Sequence, residues 1–223
     1  MGNLLLFSLL QMTGNLNSAV EKFKELFAIK GDFLAATKNP VELSAVTVAG
    51  KEIRGEEKID LGKYLGKKIL DRIAIHPVHA PAEPKVIEAI KTADALIFGP
   101  GDLYTNILPV MVVPEIGEAI KKVKCKKFFV INIANKPFET RNYSVNDFIQ
   151  AVARHITAFP FDYVIVNNNF SVHIPQKYRY SYVKYKKDSL PEDVEWIERD
   201  LVDRDFPLYH DSDKLAKVIL EHI

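Results

Sequence analysis

Between residues 15 and 30 the apolar side chains Leu16, Ala19, Val20, Phe23, Leu26 and Phe27 recur at helical spacing. Glu21, Lys22, Lys24 and Glu25 lie opposite them, and Gly31 is placed to close the helix. The opening residues 1–10 are apolar on nearly every side, and a helix of that kind calls for cover all round. They lack a basic n-region and run into an amphipathic segment instead of a cleavage site, so they do not read as an export signal. Residues 41–48 alternate, Ala49-Gly50-Lys51 forms a turn, and Glu52-Ile53-Arg54 follows, which together predict a short antiparallel hairpin. From residue 69 the rhythm changes to strand (70–77), helix (84–91), strand (95–98), helix (about 114–123), strand (128–133), helix (145–156) and strand (163–166). Repeated alternation of short apolar strands with helices predicts an α/β fold, a Rossmann-like, mostly parallel sheet with helices on both faces. The hairpin is a small excursion on that architecture, and residues 1–223 read as a single domain.

Ligands of such sheets bind beyond the carboxyl ends of the strands, so the residues after each strand are the candidates for chemistry. Four edges qualify: His76-Pro77, the loop 99–106, Asn132 with residues 135–140, and Asn167-Asn168-Asn169. The loop Gly99-Pro100-Gly101-Asp102-Leu103-Tyr104-Thr105-Asn106 receives an apolar run, 93–98, and delivers it into a predicted helix. Two glycines allow close backbone approach to an anion, and Asp102, Thr105 and Asn106 are able to cap the helix whose positive end favours negative charge. The same residues also suit an ordinary strand-to-helix turn. Across the four edges the polar groups are mostly amides and hydroxyls, joined by Asp102 and Glu139. That set suits the reading of a sugar or base by hydrogen bonds, and it contains no legible nucleophile–base pair.

Other motifs have simpler readings. His76, His79 and Glu83 have a ligand-like spacing, but Pro77, Pro81 and Pro84 break any helix that would align them, which leaves a loop lining. His155 shares a helix face with Phe148 and Val152 and reads as a core histidine. Asp211 is the predicted N-cap of a last helix whose core face is Leu215, Val218 and Ile219. The aromatic and basic residues of 177–187 alternate as an exposed strand or dimer edge would, and could also stack bases.

Composition narrows the partners. The 223 residues are 48% apolar and 26% charged with a formal charge of +1, which suits a globular chain without general affinity for nucleic acid or membrane. Cys125, the only cysteine, lies among Lys121, Lys122, Lys124, Lys126 and Lys127, so neither a disulfide framework nor a cysteine metal site is possible, and a reducing cytoplasm is expected.

Several of these segments together resemble the CofD/YvcK family, which includes the 2-phospho-L-lactate transferase and the gluconeogenesis-factor proteins that bind UDP-sugars. Gly2-Asn3-Leu4-Leu5, Ala36-Thr37, Val41-Glu42-Leu43 and Gly55-Glu56 match early family positions. Gly99-Pro100-Gly101, Leu103-Tyr104-Thr105 and Pro109 match its central loop, followed in order by Asn132, Glu139-Thr140, Asn167-Asn168 and His210-Asp211. The Leu-Tyr-Thr version of the loop is closer to the gluconeogenesis-factor branch. The resemblance implies ligand contacts from Gly2 and Asn3, from Gly99, Pro100, Gly101 and Asp102, and from Leu103, Tyr104 and Thr105. It adds Asn132, Glu139 and Thr140, with Tyr178 or Tyr180 as the tyrosine that meets a UDP-sugar. The implied protein is a cytoplasmic, homodimeric nucleotide or nucleotide-sugar binder, regulatory more than catalytic. The alternatives are a Mg²⁺-dependent phosphate-ester transferase and a folded fragment with weak or no ligand binding. Three departures stand out. The family's N-terminal Gly-rich turn and Asp-Asp-Gly stretch have no counterpart here, Asp102 stands where Ser is common, and Tyr209 stands where Arg is common.

Overall fold

A computed structural model describes residues 2–66, 69–186 and 193–223. They form two compact units, one ending at Ala35 and one running from Ala36 to Ile223. The first is a pair of helices, α1 (Gly2–Thr13) and α2 (Leu16–Phe27). Asn15 caps α2 by accepting from the Ser18 N–H at 2.9 Å. The helix ends a turn before the expected Gly31, because Ala28 takes the left-handed conformation (φ 48°) and its N–H and that of Ile29 close onto Glu25 and Lys24 carbonyls. Leu4, Phe7 and Met12 of α1 are more than half exposed, as a helix apolar on every side with one helical neighbour must leave some of its faces.

The second unit begins with β1 (Glu42–Thr47) and β2 (Glu52–Arg54), the expected hairpin, followed by a short helix α3 (Glu56–Asp60) and β3 (Leu70–His76). β3 pairs antiparallel with β1, in the order β2-β1-β3, and so corrects its assignment to the parallel sheet. The physical reason lies in its pattern. Ile73 and Ile75 are buried while Arg72 is exposed, the signature of a strand covered on one face only, and a pairing irregularity at Asp71 brings Leu70 to the buried side as well.

Then come α4 (Pro84–Thr92), β4 (Ala95–Phe98), a π-helical turn (Leu103–Ile107) running into α5 (Leu108–Met111), α6 (Pro114–Lys122) and β5 (Lys126–Val130). The chain continues with β6 (Ala134–Asn135), α7 (Val145–Ile156), β7 (Tyr163–Asn167), β8 (Ser181–Tyr182), β9 (Glu195–Arg199) and α8 (Ser212–Leu220). Strands β4-β5-β7-β9 form a parallel sheet in that order. Successive strand residues feed opposite cores, as a period of two requires. Phe129, Val164 and Val166 pack with α6, α7 and the antiparallel sheet, whereas Phe128, Val130 and Ile165 pack with Leu215, Val218 and Ile219 of α8. Helices therefore cover both faces. α7 spans its predicted residues and starts with a capping box between Ser144 and Asp147.

The alternating run 177–187 is a strand only in part. Residues 176–178 make a 3₁₀ turn, Arg179 is left-handed (φ 59°), and only Ser181 and Tyr182 pair, antiparallel, with β6. Lys187 lies outside the described residues. His155 is the core histidine expected: its Nε2 accepts from the Ile73 N–H at 2.9 Å, and burial holds its pKa below the usual value.

Candidate functional site

A cavity of about 670 Å³ opens beyond the carboxyl ends of β4 and β5. Its walls come from the β4 loop (Gly101, Asp102, Asn106), from Asn132 and Lys136 after β5, and from Tyr180. The segment before α8 and its first residue supply the far side with Leu208, Tyr209, His210 and Ser212. The position is the one where open parallel sheets bind ligands.

The β4 loop is shaped by Gly99. Its φ is +85°, and a Cβ there would stand 2.8 Å from the Val130 carbonyl oxygen, so only glycine lets the chain turn this close to β5. Gly101 is different: its nearest neighbours to a Cβ are 3.7 Å away, and its lack of a side chain keeps the cavity wall open. The Gly101 N–H donates to Asn132 Oδ1 at 3.1 Å, which ties the two strand-end loops together.

Beyond Asp102 the loop turns inward. Leu103 and Tyr104 are wholly buried and Thr105 nearly so. The backbone N–H of Tyr104 donates to Glu139 Oε2 at 3.1 Å, and the Thr105 hydroxyl donates to Glu139 Oε1 at 2.8 Å. A carboxylate of the protein itself thus occupies the positive end of this turn. The Tyr104 hydroxyl is shared with Tyr143 at 2.8 Å deep in the core, and burial pushes its pKa upward. Asp102, Thr105 and Asn106, expected as helix caps, do not cap: Asp102 is at the N-cap position but makes no capping bond with its side chain. It has a stronger partner.

That partner is Lys136. Its Nζ bonds to Asp102 Oδ2 at 2.6 Å, to Glu139 Oε1 at 3.3 Å, and to Asp60 Oδ1 at the end of α3. The lysine is held in place by the loop 136–140, where its N–H donates to Thr140 Oγ1 at 3.0 Å and the Thr140 N–H donates back to the Lys136 carbonyl at 3.1 Å. Hydrogen bonds to Asp102 and Asp60 raise the Lys136 pKa against the opposing effect of burial. Glu139 behaves in the opposite way. Burial pushes its carboxyl up to about 7, and the Lys136 charge only partly offsets this. Asp60, Asp102 and Glu139 each bring a carboxylate oxygen within 4.8 Å of the others, a donor set of the type a hard divalent cation uses. The ammonium of Lys136 stands among all three, so these residues do not fit Mg²⁺ as they are arranged.

On the opposite wall His210 has its Nε2 buried without a partner, and burial lowers its pKa to about 4, so it is neutral at pH 7. Asp211 caps α8 as expected, its Oδ1 accepting from the N–H groups of Asp213 and Lys214. Among the described residues Lys136 is the only lysine or arginine lining the cavity.

Of the residues named from the sequence, Pro100, Gly101, Asp102, Asn132 and Tyr180 line the cavity. Gly99, Leu103, Tyr104, Thr105, Glu139 and Thr140 support it from behind. Tyr178 is 45% exposed on the 3₁₀ turn under Lys177 and is not among the lining residues. Gly2 and Asn3 belong to α1 in the other unit, and the Asn3 side chain lies outside the described residues. His76 bonds to Ser44 Oγ at 2.8 Å and Glu83 pairs with Lys38, while Asn167 caps the Leu201 N–H, so those edges serve the fold. Sequence reasoning missed Asp60 and, although it chose the edge 135–140, did not single out Lys136. Lys136 carried a signal, a lone cation in a loop directly after a buried strand, but Asp60 carried none.

The family model described as 2-phospho-L-lactate transferase CofD matches residues 1–206. The gluconeogenesis factor of Bacillus subtilis is 30% identical over 99% of this chain and 70% of its own length. A Clostridium acetobutylicum protein named "Putative gluconeogenesis factor" is 35% identical over 100% of this chain and 51% of its own length. The chain thus spans about half of that relative. A crystal structure of a UPF0052-family protein from Bacillus halodurans superimposes with a TM-score of 0.86 at 27% identity, covering 98% of this chain and 71% of that one.

Proposed function

Given that the chain belongs to the CofD family, we propose that it binds a nucleotide-type ligand of the UDP-sugar kind in the cavity at the ends of β4 and β5, and that it acts as a regulator and not as a catalyst. The observation that carries this reading is the lining of the cavity. Asn106, Asn132, Tyr180 and Tyr209 offer amides and phenols able to read base and sugar hydroxyls, and the aromatic faces suit a base. The volume suits a small organic ligand. The similarity to proteins named gluconeogenesis factor supports the same class of role.

Phosphoryl transfer is the competing reading, prompted by the description of the family model. It needs charge stabilisation at the transferring group, usually from a metal ion held by carboxylates. The three carboxylates here are already engaged by Lys136, which favours binding over transfer.

The test is a thermal-shift panel of UDP-glucose, UDP-N-acetylglucosamine, UDP, ATP and NAD against the purified chain. A ligand bound only by the native state raises the melting temperature in proportion to the logarithm of its concentration. The expected result is a rise with a UDP-sugar that exceeds the rise with ATP or NAD. A flat response to every member at millimolar concentration refutes the proposal.

A further inference from the structure

Asp60, Asp102 and Glu139 come from α3, the β4 loop and the loop after β6, so three separate segments converge on one point. Where Glu139 is ionised, the like charges so placed repel unless a cation sits among them. An ammonium has three N–H donors and no acceptor, and here it meets three carboxylates, with the Lys136 bonds to Asp60, Asp102 and Glu139 accounting for all three protons.

We propose that Lys136 is the resident cation of this cavity: it takes the place that a divalent metal ion would hold, so the chain binds no such metal at the triad. Lys136 is a positioning residue in this scheme, joining three segments of the cavity wall. With its protons engaged, it offers the cavity a charge but no unspent donor. The raised pKa of the lysine agrees with this arrangement, since deprotonation would leave the carboxylates facing one another. Lys136 fills this role whether or not a nucleotide binds.

Removal of the lysine charge should uncover the metal site. Manganese(II) titrations followed by electron paramagnetic resonance would compare the wild-type chain, Asp102→Asn, Lys136→Ala, Lys136→Gln and the double variant Lys136→Ala with Asp102→Asn. Circular dichroism identifies the folded variants, and Gln, which keeps part of the stem and two N–H donors, is the substitute if Ala fails to fold. The wild type is expected to leave the Mn²⁺ signal free. A folded Lys136 variant should bind about one equivalent with a Kd on the order of 0.1–1 mM, the range of modest oxygen-donor sites. The double variant should lose that binding at least tenfold.

Two results overturn the proposal. One is stoichiometric Mn²⁺ binding by the wild type that Asp102→Asn abolishes. The other is a folded Lys136 variant that binds no Mn²⁺. A wild-type measurement keeps the test decisive if neither single variant folds: a rise in melting temperature with Mg²⁺ or Mn²⁺ that is lost in Asp102→Asn overturns the idea, and the absence of any rise supports it.

Discussion

Replacing Glu139 with Gln should flatten the dependence of stability on pH. Glu139 is 1% exposed, and its carboxyl moves from an ordinary value of 4.5 to about 7 in the folded chain, chiefly through burial. In the unfolded chain the carboxyl ionises near its ordinary value, so between pH 4.5 and 7 the native state holds a proton that the unfolded state has released. Stability therefore falls as pH rises through this window, and it is greatest below the lower value. At about 1.4 kcal/mol per pH unit, the wild type should lose about 3 kcal/mol between pH 4.5 and 8 that the variant does not lose.

Glutamine is close to isosteric: its oxygen can accept from the Tyr104 N–H while its amide donates to the Thr105 hydroxyl oxygen, at the loss of the long bond from Lys136 to the Oε1 position. Any constant cost of the exchange cancels, because the observable is the change in the wild-type-minus-variant difference across the pH series. Other carboxylates titrate in both proteins and cancel to first order. Urea unfolding followed by circular dichroism, at half-unit steps of pH, supplies the two profiles. Parallel profiles would refute the reasoning, since they would mean that Glu139 has the same proton affinity folded and unfolded.

The remaining predictions concern the loop and the last helix. Gly99→Ala should cost about 2 kcal/mol or more and lower the melting temperature, because it combines a positive φ with a Cβ 2.8 Å from the Val130 oxygen. Gly101→Ala should leave the melting temperature nearly unchanged, its neighbours being 3.7 Å away. Asp211→Ala should cost about 1 kcal/mol in urea unfolding, since two N–H groups of α8 lose their acceptor.

Much of the parallel sheet was legible because its strands β4, β5 and β7 are short, apolar and set off by helices with clear polar faces. β3 misled because it stands next in the strand–helix rhythm, although Asp71 and Arg72 break its apolar run and point to a half-covered strand. β9 was missed because Glu195-Trp196-Ile197-Glu198-Arg199 carries charges at both ends, as an edge strand tolerates, and so looks like surface. The cavity could be placed from strand ends alone. Its polarity could not: the glycine loop suggested an anion cradle, but Glu139 fills the end of that turn from 35 positions away. The Lys136 cluster depends on residues 60, 102, 136 and 139 meeting in space, and no local pattern records such a meeting.

The most direct measurement for the cavity is isothermal titration of UDP-N-acetylglucosamine into the wild-type chain and into Gly101→Val. A valine there has room at its Cβ, beside Asn106 and Ile107, and adds bulk at a residue that lines the cavity. Saturable binding by the wild type that weakens at least tenfold, about 1.4 kcal/mol, in a variant with an unchanged melting temperature is the predicted result. Equal affinity in the two proteins, or no binding by either, would contradict it.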